Sequence, residues 1–379
     1  MKKGKFTALF FVICLCAVQI FCLFKPQVEF SENENRNLQT FPELSLKTVF
    51  GGQFMKQFDS FTADQFLFRD HWVSLATREL LAIGKRDNQK TYFGKDGYLF
   101  AIDTIDNSQF SKNKELLREF LQKIKQEHPD IRSTVMVVPT SSAILTEKLP
   151  YGAPVPDEIP LIEEIGVSVD GLATFCNPVP ELQAHTGEEI YYRTDHHWTS
   201  LGAYYAYTAW AKTQGIVPHD LQDYEIRTVS DSFLGTTYSK ANLSSISPDS
   251  IQTFTLFHAP KPSMQVNTGK EIKYFDSLYD ESYLSKKDQY SYFLSSNNPL
   301  VSIETGVKNG KTLLVLKDSF ANAFLPFLTE EYERILVVDP RYQRSGILDM
   351  LQKESITDIL VLYNIVNFSN DTNLISLVR

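Results

Sequence analysis

The sequence predicts an α/β protein: a mainly parallel sheet with helices on both faces, a small β-rich insertion, and an apolar segment at the N-terminus. Three observations carry that prediction. Short apolar runs at 133–138, 312–316, 334–338 and 358–363 alternate with stretches of helical spacing, the pattern of buried parallel strands joined through covering helices. The 379 residues are 43% apolar and 13% aromatic, enough for a packed core and unlike a fibrous or disordered chain. Finally, the run 312–317 passes directly into a helical stretch at Asp318-Ser319.

The elements follow in chain order. Lys2, Lys3 and Lys5 precede a charge-free run over 6–23, interrupted only by Thr7 and Gln19 and ended by Lys25-Pro26. About 18 residues at ~1.5 Å rise nearly span a hydrocarbon layer of ~30 Å. The leading lysines place the N-terminus in the cytoplasm and the rest of the chain outside. Residues 1–25 are therefore expected to form a signal anchor, with 6–24 in the membrane and a single-pass location at the cell membrane. A cleaved signal peptide, giving a secreted protein, is the alternative. No small-x-small site follows the run, however, only Cys22-Leu23-Phe24-Lys25. Cys14, Cys16 and Cys22 fall inside the run, so Cys176 stands alone outside it. That excludes a disulfide framework and a thiolate metal site, and Cys176 reads as a small buried hydrophobe. A net charge of −9 argues against a nucleic-acid partner, which needs a basic face.

Residues 26–53, with Glu32, Glu34 and Arg36 in a turn-rich stretch, read as a linker, and 54–379 as the outer domain. Phe58, Phe61, Phe66, Trp72, Leu75 and Leu80 have helical spacing, which predicts one or two amphipathic helices over 54–83. Asp96-Gly97 between Phe93 and Tyr98-Leu99-Phe100 predicts a hairpin. A helix over 112–127 leads to the strand 133–138, stopped by Pro139, and another helix fits 199–213. Within that helix Tyr204, Tyr205 and Tyr207 suit either packing or sugar stacking. The section 224–275 reads as short strands and turns inserted before the last three strands.

Two segments carry chemistry. Ser319 stands at the carboxyl end of a strand, where open α/β sheets bind ligands. It also opens a helix, whose free N–H groups stabilise developing negative charge. A serine there can attack a carbonyl, or it can simply cap the helix. In Thr194-Asp-His-His-Trp-Thr199, Asp195 and His197 are two apart, so they can cooperate only in a turn or extended stretch. Thr199 or Ser200 starts the next helix and leaves them just outside it. Asp195 can then accept from one ring nitrogen of His197 and leave the other as a general base. A solvated polar turn is the plain alternative. Neighbouring histidines also suit a metal, but His219 and His258 lack ligand-like spacing, so neither metal nor cofactor is expected.

The segment 194–199 resembles the signature of the DHHW family of bacterial proteins. That family is similar to the periplasmic alginate O-acetylation proteins, which carry an Asp-x-His-Trp motif and a later serine on an SGNH-hydrolase-like fold. Glu34-Asn-Arg-Asn-Leu38 with Phe41-Pro42, Phe66-Leu-Phe-Arg-Asp70, Phe93-Gly-Lys-Asp-Gly-Tyr-Leu-Phe100, Asp288-Gln-Tyr290 and Val338-Asp-Pro-Arg341 resemble further segments of that group. The resemblance implies an SGNH-hydrolase-like α/β/α sandwich with Ser319 as nucleophile, His197 as base and Asp195 as acid. His196 falls on the variable position. Ordinary SGNH hydrolases place the serine first, in Gly-Asp-Ser; here the order is reversed, as in the alginate proteins, and Lys317 stands where glycine would. The backbone N–H of Ser319 is the leading oxyanion donor, with Asn322, Asn364 and Gly235 as further candidates. The implied activity is O-acyl transfer, acetyl in particular, to a cell-envelope or secreted polysaccharide. A membrane-bound O-acyltransferase partner would export the acyl group. A carbohydrate O-acetyl esterase and a non-catalytic carbohydrate-binding or scaffold protein of an envelope complex are the alternatives.

Overall fold

The computed structural model describes residues 2–31, 36–243, 245–257, 259–343 and 346–378. Glu32, Glu34, Asn35 and His258, named above, lie outside them, as do the side chains of Cys14 and Cys16. The chain forms two compact units: Met1–Asn88 with Ser239–Ser245, and Gln89–Tyr238 with Ile246–Arg379.

In the first unit the apolar N-terminal run is helical over Lys2–Phe24. Among the described residues no helix is long and apolar enough to cross a membrane, so the anchor rests on the sequence alone. The stretch read as a linker holds local structure, a two-residue pairing of Phe30–Ser31 with Arg36–Asn37 and a short helix, Leu46–Phe50. That helix forms because Ser45 and Thr48 make a reciprocal cap, each side chain accepting the other's backbone N–H. The expected amphipathic helices are Gln53–Asp64 and Arg69–Ala82. Phe61 is buried, with Phe41 edge-on to its ring.

The second unit is built on an eight-stranded sheet. Its order is Ile272–Phe275, Ser263–Asn267, Leu300–Glu304, Arg334–Val338, Thr312–Lys317, Asp358–Asn364, Arg132–Val138, Thr174–Cys176. The last five are mutually parallel, and side chains such as Leu314, Val315, Leu360 and Val138 are wholly buried, which is why these strands read as continuous apolar runs. Two groups of helices flank the sheet. Asn107–Glu127, Glu158–Ser168 and Ile365–Asn370 pack together, as do Val179–Ala184, Ser200–Thr213 and Ala321–Phe324. The first helix starts five residues earlier than its apolar spacing suggests, because the Asp106 carboxylate accepts the N–H groups of Ser108 and Gln109.

The sheet is more mixed than expected: three of its strands form an antiparallel edge. The section 224–275 is accordingly not one insertion. Tyr224–Phe233 and Asp249–Leu256 pair as a separate hairpin, whereas Ser263–Asn267 and Ile272–Phe275 extend the main sheet. The reason is visible in Ser263–Asn267, where Met264 and Val266 are buried and Gln265 between them is exposed. A strand covered on one face alternates, and antiparallel edges tolerate that. Tyr204, Tyr205 and Tyr207 are all buried. Tyr207 stacks on Phe327 and Tyr204 stands edge-on to Tyr224, so the cluster is helix packing and offers no sugar platform. Cys176 is fully buried, and burial pushes its thiol up to about 12.

Ser319 and Thr140 follow the carboxyl ends of the parallel strands Thr312–Lys317 and Arg132–Val138, and Asn364 ends the strand between them, Asp358–Asn364. From Thr312–Lys317 the chain goes to one side, to Arg334–Val338; from Arg132–Val138 it goes to the other, to Thr174–Cys176. Open α/β sheets bind ligands where successive connections diverge in this way.

Candidate active site

The Asp195 segment is a loop pinned at its base. Tyr191 and Trp198 form an isolated antiparallel bridge, and the Tyr192 N–H donates to the His197 carbonyl. Thr199 caps Ser200–Thr213 by accepting the Gly202 N–H, which keeps Asp195 to His197 out of the helix, as the spacing requires. Asp249 holds the loop from outside. Its carboxylate accepts the N–H and hydroxyl of Thr194 at 2.8 and 2.6 Å and the Arg193 Nε at 3.1 Å.

Within that loop Asp195 is 1% exposed and His197 4%. The His197 Nδ1 lies 2.5 Å from Asp195 Oδ1, and its Nε2 lies 2.7 Å from Ser319 Oγ across 122 residues of chain. A carboxylate only accepts, so Nδ1 carries the proton. Nε2 is then the bare nitrogen, and it accepts from the Ser319 hydroxyl. Burial pushes the Asp195 carboxyl up, but the His196 and His197 rings, the His197 hydrogen bond and the Thr236 N–H together hold it well below the usual carboxylate range. Its other oxygen accepts the N–H and hydroxyl of Thr236 at 2.7 and 2.8 Å.

The serine turn is equally constrained. The hydroxyl of Ser319 is used on His197 and caps nothing: the helix Ala321–Phe324 begins after Phe320 with no side-chain cap. That helix is also shorter than its apolar run suggests, because Pro326 turns the chain into a 3-10 segment, Leu325–Leu328. Asp318 braces the turn. Its carboxylate accepts the N–H groups of Phe320 and Asn364 and the Asn367 amide. Burial raises its pKa, opposed by Arg341 and these donors. Trp198 Nε1 donates to the Phe320 carbonyl at 2.9 Å. The Tyr290 ring lies flat on His197, 3.8 Å between centroids at 9°, while its hydroxyl donates to the Ser319 carbonyl at 3.1 Å.

Of the four oxyanion candidates, the structure leaves one unpaired. The Ser319 N–H makes no hydrogen bond among the described residues. Asn364 instead caps Ile365–Asn370, its oxygen accepting from Val366 and Asn367 and its amide donating to the Val138 carbonyl. The Gly235 N–H donates to Thr194 Oγ1, and the residue packs directly against Asp195. The Asn322 side chain faces Lys317 and Asn297. Asp195, His196 and His197 bring possible metal-ligand atoms within 4.8 Å of one another. Both His197 nitrogens are already engaged, and His196 Nδ1 meets the Thr236 hydroxyl oxygen at 2.7 Å.

Sequence reasoning did not reach Thr236 or Tyr290. Tyr290 fell within a family-like segment with no role attached, and no local pattern tells that its ring covers a histidine 93 positions earlier.

A serine–histidine–aspartate line at the carboxyl edge of a layered α/β sheet recurs on several unrelated hydrolase folds. Residues 92–230 match the family model described as SGNH hydrolase-like domain, acetyltransferase AlgX. The chain carries a DHHW region: residues 174–338 match the family model described as DHHW protein, and the likeness read from 194–199 is thereby shown. A DHHW family protein from Eubacterium siraeum has a similar structure, with a TM-score of 0.64 and 26% identity, over 77% of this chain and 95% of that one. The structure of Bacillus cereus PatB1 with a sulfonyl adduct shares the fold, with a TM-score of 0.61 and 19% identity, over 73% of this chain and 94% of that one. No curated protein matches the chain.

Proposed function

We propose that this protein transfers an acyl group, acetyl in particular, through a Ser319 ester to a hydroxyl of a cell-envelope or secreted polysaccharide. One observation carries the reading: the buried line Ser319 Oγ, His197 Nε2, His197 Nδ1, Asp195 Oδ1, with contacts of 2.7 and 2.5 Å. His197 Nε2 takes the Ser319 proton as Oγ bonds to the carbonyl carbon of an acyl ester or thioester. The tetrahedral oxyanion faces the Ser319 N–H. It collapses as the donor's oxygen or sulfur leaves with the proton from Nε2. A sugar hydroxyl then gives its proton to Nε2 and attacks the acyl-serine, which restores the serine. Asp195 accepts from Nδ1 throughout and stabilises the imidazolium.

The match to an acetyltransferase family model over 92–230 supports the acetyl group. The resemblance of 194–199 to alginate O-acetylation proteins supports the polysaccharide acceptor. The lysine-flanked run over 6–23 supports tethering outside the cytoplasmic membrane, where coenzyme A thioesters are absent, so a membrane-bound O-acyltransferase would be the donor's source.

The test is labelling of the full chain with a fluorophosphonate or sulfonyl fluoride probe, together with p-nitrophenyl acetate turnover. Wild type is expected to be labelled at Ser319 and active. Ser319→Ala is expected to lose both while melting close to wild type, since it gives up only the bond to His197. Equal labelling of the two proteins would remove Ser319 as nucleophile. Turnover with water alone as acceptor, unaffected by added oligosaccharides, would make the protein an esterase.

A further inference from the structure

Lys317 ends its strand after a run of leucines and valine, and it is 2% exposed. Its ammonium donates to Asn322 Oδ1 at 2.8 Å and to Asn297 Oδ1 at 2.7 Å, and it lies 3.6 Å from Asp339 Oδ2. Lys317 and Asn322 are the two ends of the turn that holds Ser319. Because an ammonium has donors only, it also sets the Asn322 amide: Oδ1 must face the lysine, and Nδ2 turns to Asn297 at 3.3 Å.

Asn297 is itself unusually held. Leu294, Ser295 and Ser296 have φ of 57°, 54° and 77°, three successive non-glycine residues in the left-handed region. Such backbone persists only where its surroundings over-determine it. Ser295 Oγ donates to Asp280, the Asn298 amide donates to the Ser295 carbonyl, and the Ser296 N–H donates to the Ser291 carbonyl. The same segment carries Tyr290 onto His197. Lys317 therefore joins the serine turn to the loop that covers the histidine.

Charge pairing gives no reason for this lysine. Asp339 already holds Arg341 through two contacts, Nε to Oδ1 at 2.8 Å and Nη2 to Oδ2 at 2.5 Å. Removing the ammonium would leave no bare carboxylate, since Arg341 still pairs with Asp339, but it would leave the buried Asn322 Oδ1 without its donor.

We propose that Lys317 is a positioning residue for acyl transfer, its ammonium clamping both ends of the Ser319 turn to each other and to the Asn297 loop. This rests on Ser319 being the nucleophile. Lys317 holds its proton less tightly than an ordinary lysine: burial lowers its pKa to about 8, with Asp339 opposing, Arg341 adding to the fall and Asp318 opposing. The clamp therefore weakens, from charge-assisted to neutral hydrogen bonds, as pH rises through about 8. The folded pKa lies below the ordinary lysine value of 10.5, so the folded chain binds fewer protons in that window and stability rises as activity falls. A merely structural lysine would not separate the two.

The experiment measures kcat and KM for p-nitrophenyl acetate against pH, with melting temperatures, in the full-length wild type, Lys317→Met, Asn322→Ala and the double variant. Lys317→Met is expected to lose about 100-fold in kcat with KM little changed, the scale for a displaced oxyanion donor, and to melt close to wild type at neutral pH, because removing a buried charge offsets the donor taken from Asn322 Oδ1. The double variant should be no worse than the worse single one, because both remove one clamp. Wild type should show a falling alkaline limb near pH 8 that Lys317→Met lacks. Wild-type kcat in Lys317→Met, or kcat and melting temperature falling together with additive losses, would overturn the proposal. If Lys317→Met does not fold, full activity in Asn322→Ala or a flat alkaline profile in wild type overturns it instead. Absence of Ser319 labelling in wild type would sink the nucleophile reading and this one with it, whereas labelled wild type with an unaffected Lys317→Met sinks only this one.

Discussion

Gly235→Ala should disable the site without touching any residue that handles substrate. A Cβ at Gly235 would stand 2.3 Å from Asp195 Cβ and 2.4 Å from its Oδ2, against ordinary contacts that begin at 3.4 Å. Relief requires the two groups to part by about 1 Å, and a misplacement of that size costs about 100-fold in rate. Neither group can move freely. Thr236, the next residue, makes both hydrogen bonds to Asp195 Oδ2, so a shift of the loop pulls those donors away, and a shift of Asp195 lengthens its bond to His197 Nδ1. Overpacking of this kind destabilises by about 1–3 kcal/mol, or about 2–4 °C in melting temperature per kcal/mol for a unit of roughly this size. The assay is p-nitrophenyl acetate turnover with a parallel melting curve. Gly187→Ala is the control: its added Cβ meets nothing within 4 Å, and both readings should match wild type. If Gly235→Ala kept wild-type kcat while Asp195→Asn lost it, the idea that the Asp195 position is set by this contact would be wrong.

Three further outcomes are expected. Asp195→Asn should lower kcat by about 10⁴-fold, as the corresponding serine-protease change does, because the amide favours the wrong His197 tautomer. The stability that Asp195 contributes is fully present above its ordinary value of 3.8 and is lost as pH falls from there toward its depressed folded pKa. The gap in melting temperature between wild type and Asp195→Asn should therefore be constant near neutrality and shrink below about pH 4; a gap that widened in acid would contradict the sign. His196→Ala should remain probe-reactive at Ser319, since its ring meets Thr236 Oγ1 at 2.7 Å and lies 3.6 Å from Asp195 Oδ1 while the Ser319 hydroxyl bonds His197, and loss of labelling there would move the base to His196. Tyr290→Phe keeps the ring on His197 but deletes the bond to the Ser319 carbonyl, which should cost about 0.5–1.5 kcal/mol in denaturant unfolding; no change would mean that bond is not formed in solution.

Much of the layered fold was legible in order along the chain. Continuous apolar runs such as 334–338 signal burial on both faces, which is a local property of each strand. Likewise, the two-residue spacing of Asp195 and His197 ahead of Thr199 was enough to require a non-helical loop. Strand order was not legible, because neighbours in the sheet are chosen by packing between segments that other elements separate, from 22 positions for Thr312 opposite Arg334 to 226 for Arg132 opposite Asp358. The antiparallel edge at Leu300–Glu304 and the division of 224–275 both escaped for that reason. The oxyanion candidates show the same limit in one side chain each. Asn364 is a cap and Gly235 a close contact, roles decided by which backbone groups happen to lie beside them. Motif and spacing therefore singled out Asp195, His197 and Ser319 as candidates for one site. Only the tertiary structure decided what holds them: Tyr290 over the imidazole, Thr236 under the carboxylate and Lys317 across the serine turn. Tyr290 and Thr236 lie 93 and 41 positions along the chain from the residues they hold, and Lys317 adds to its local bond with Asn322 a second one to Asn297, 20 positions away, so none of the three holds is complete until these segments are packed together.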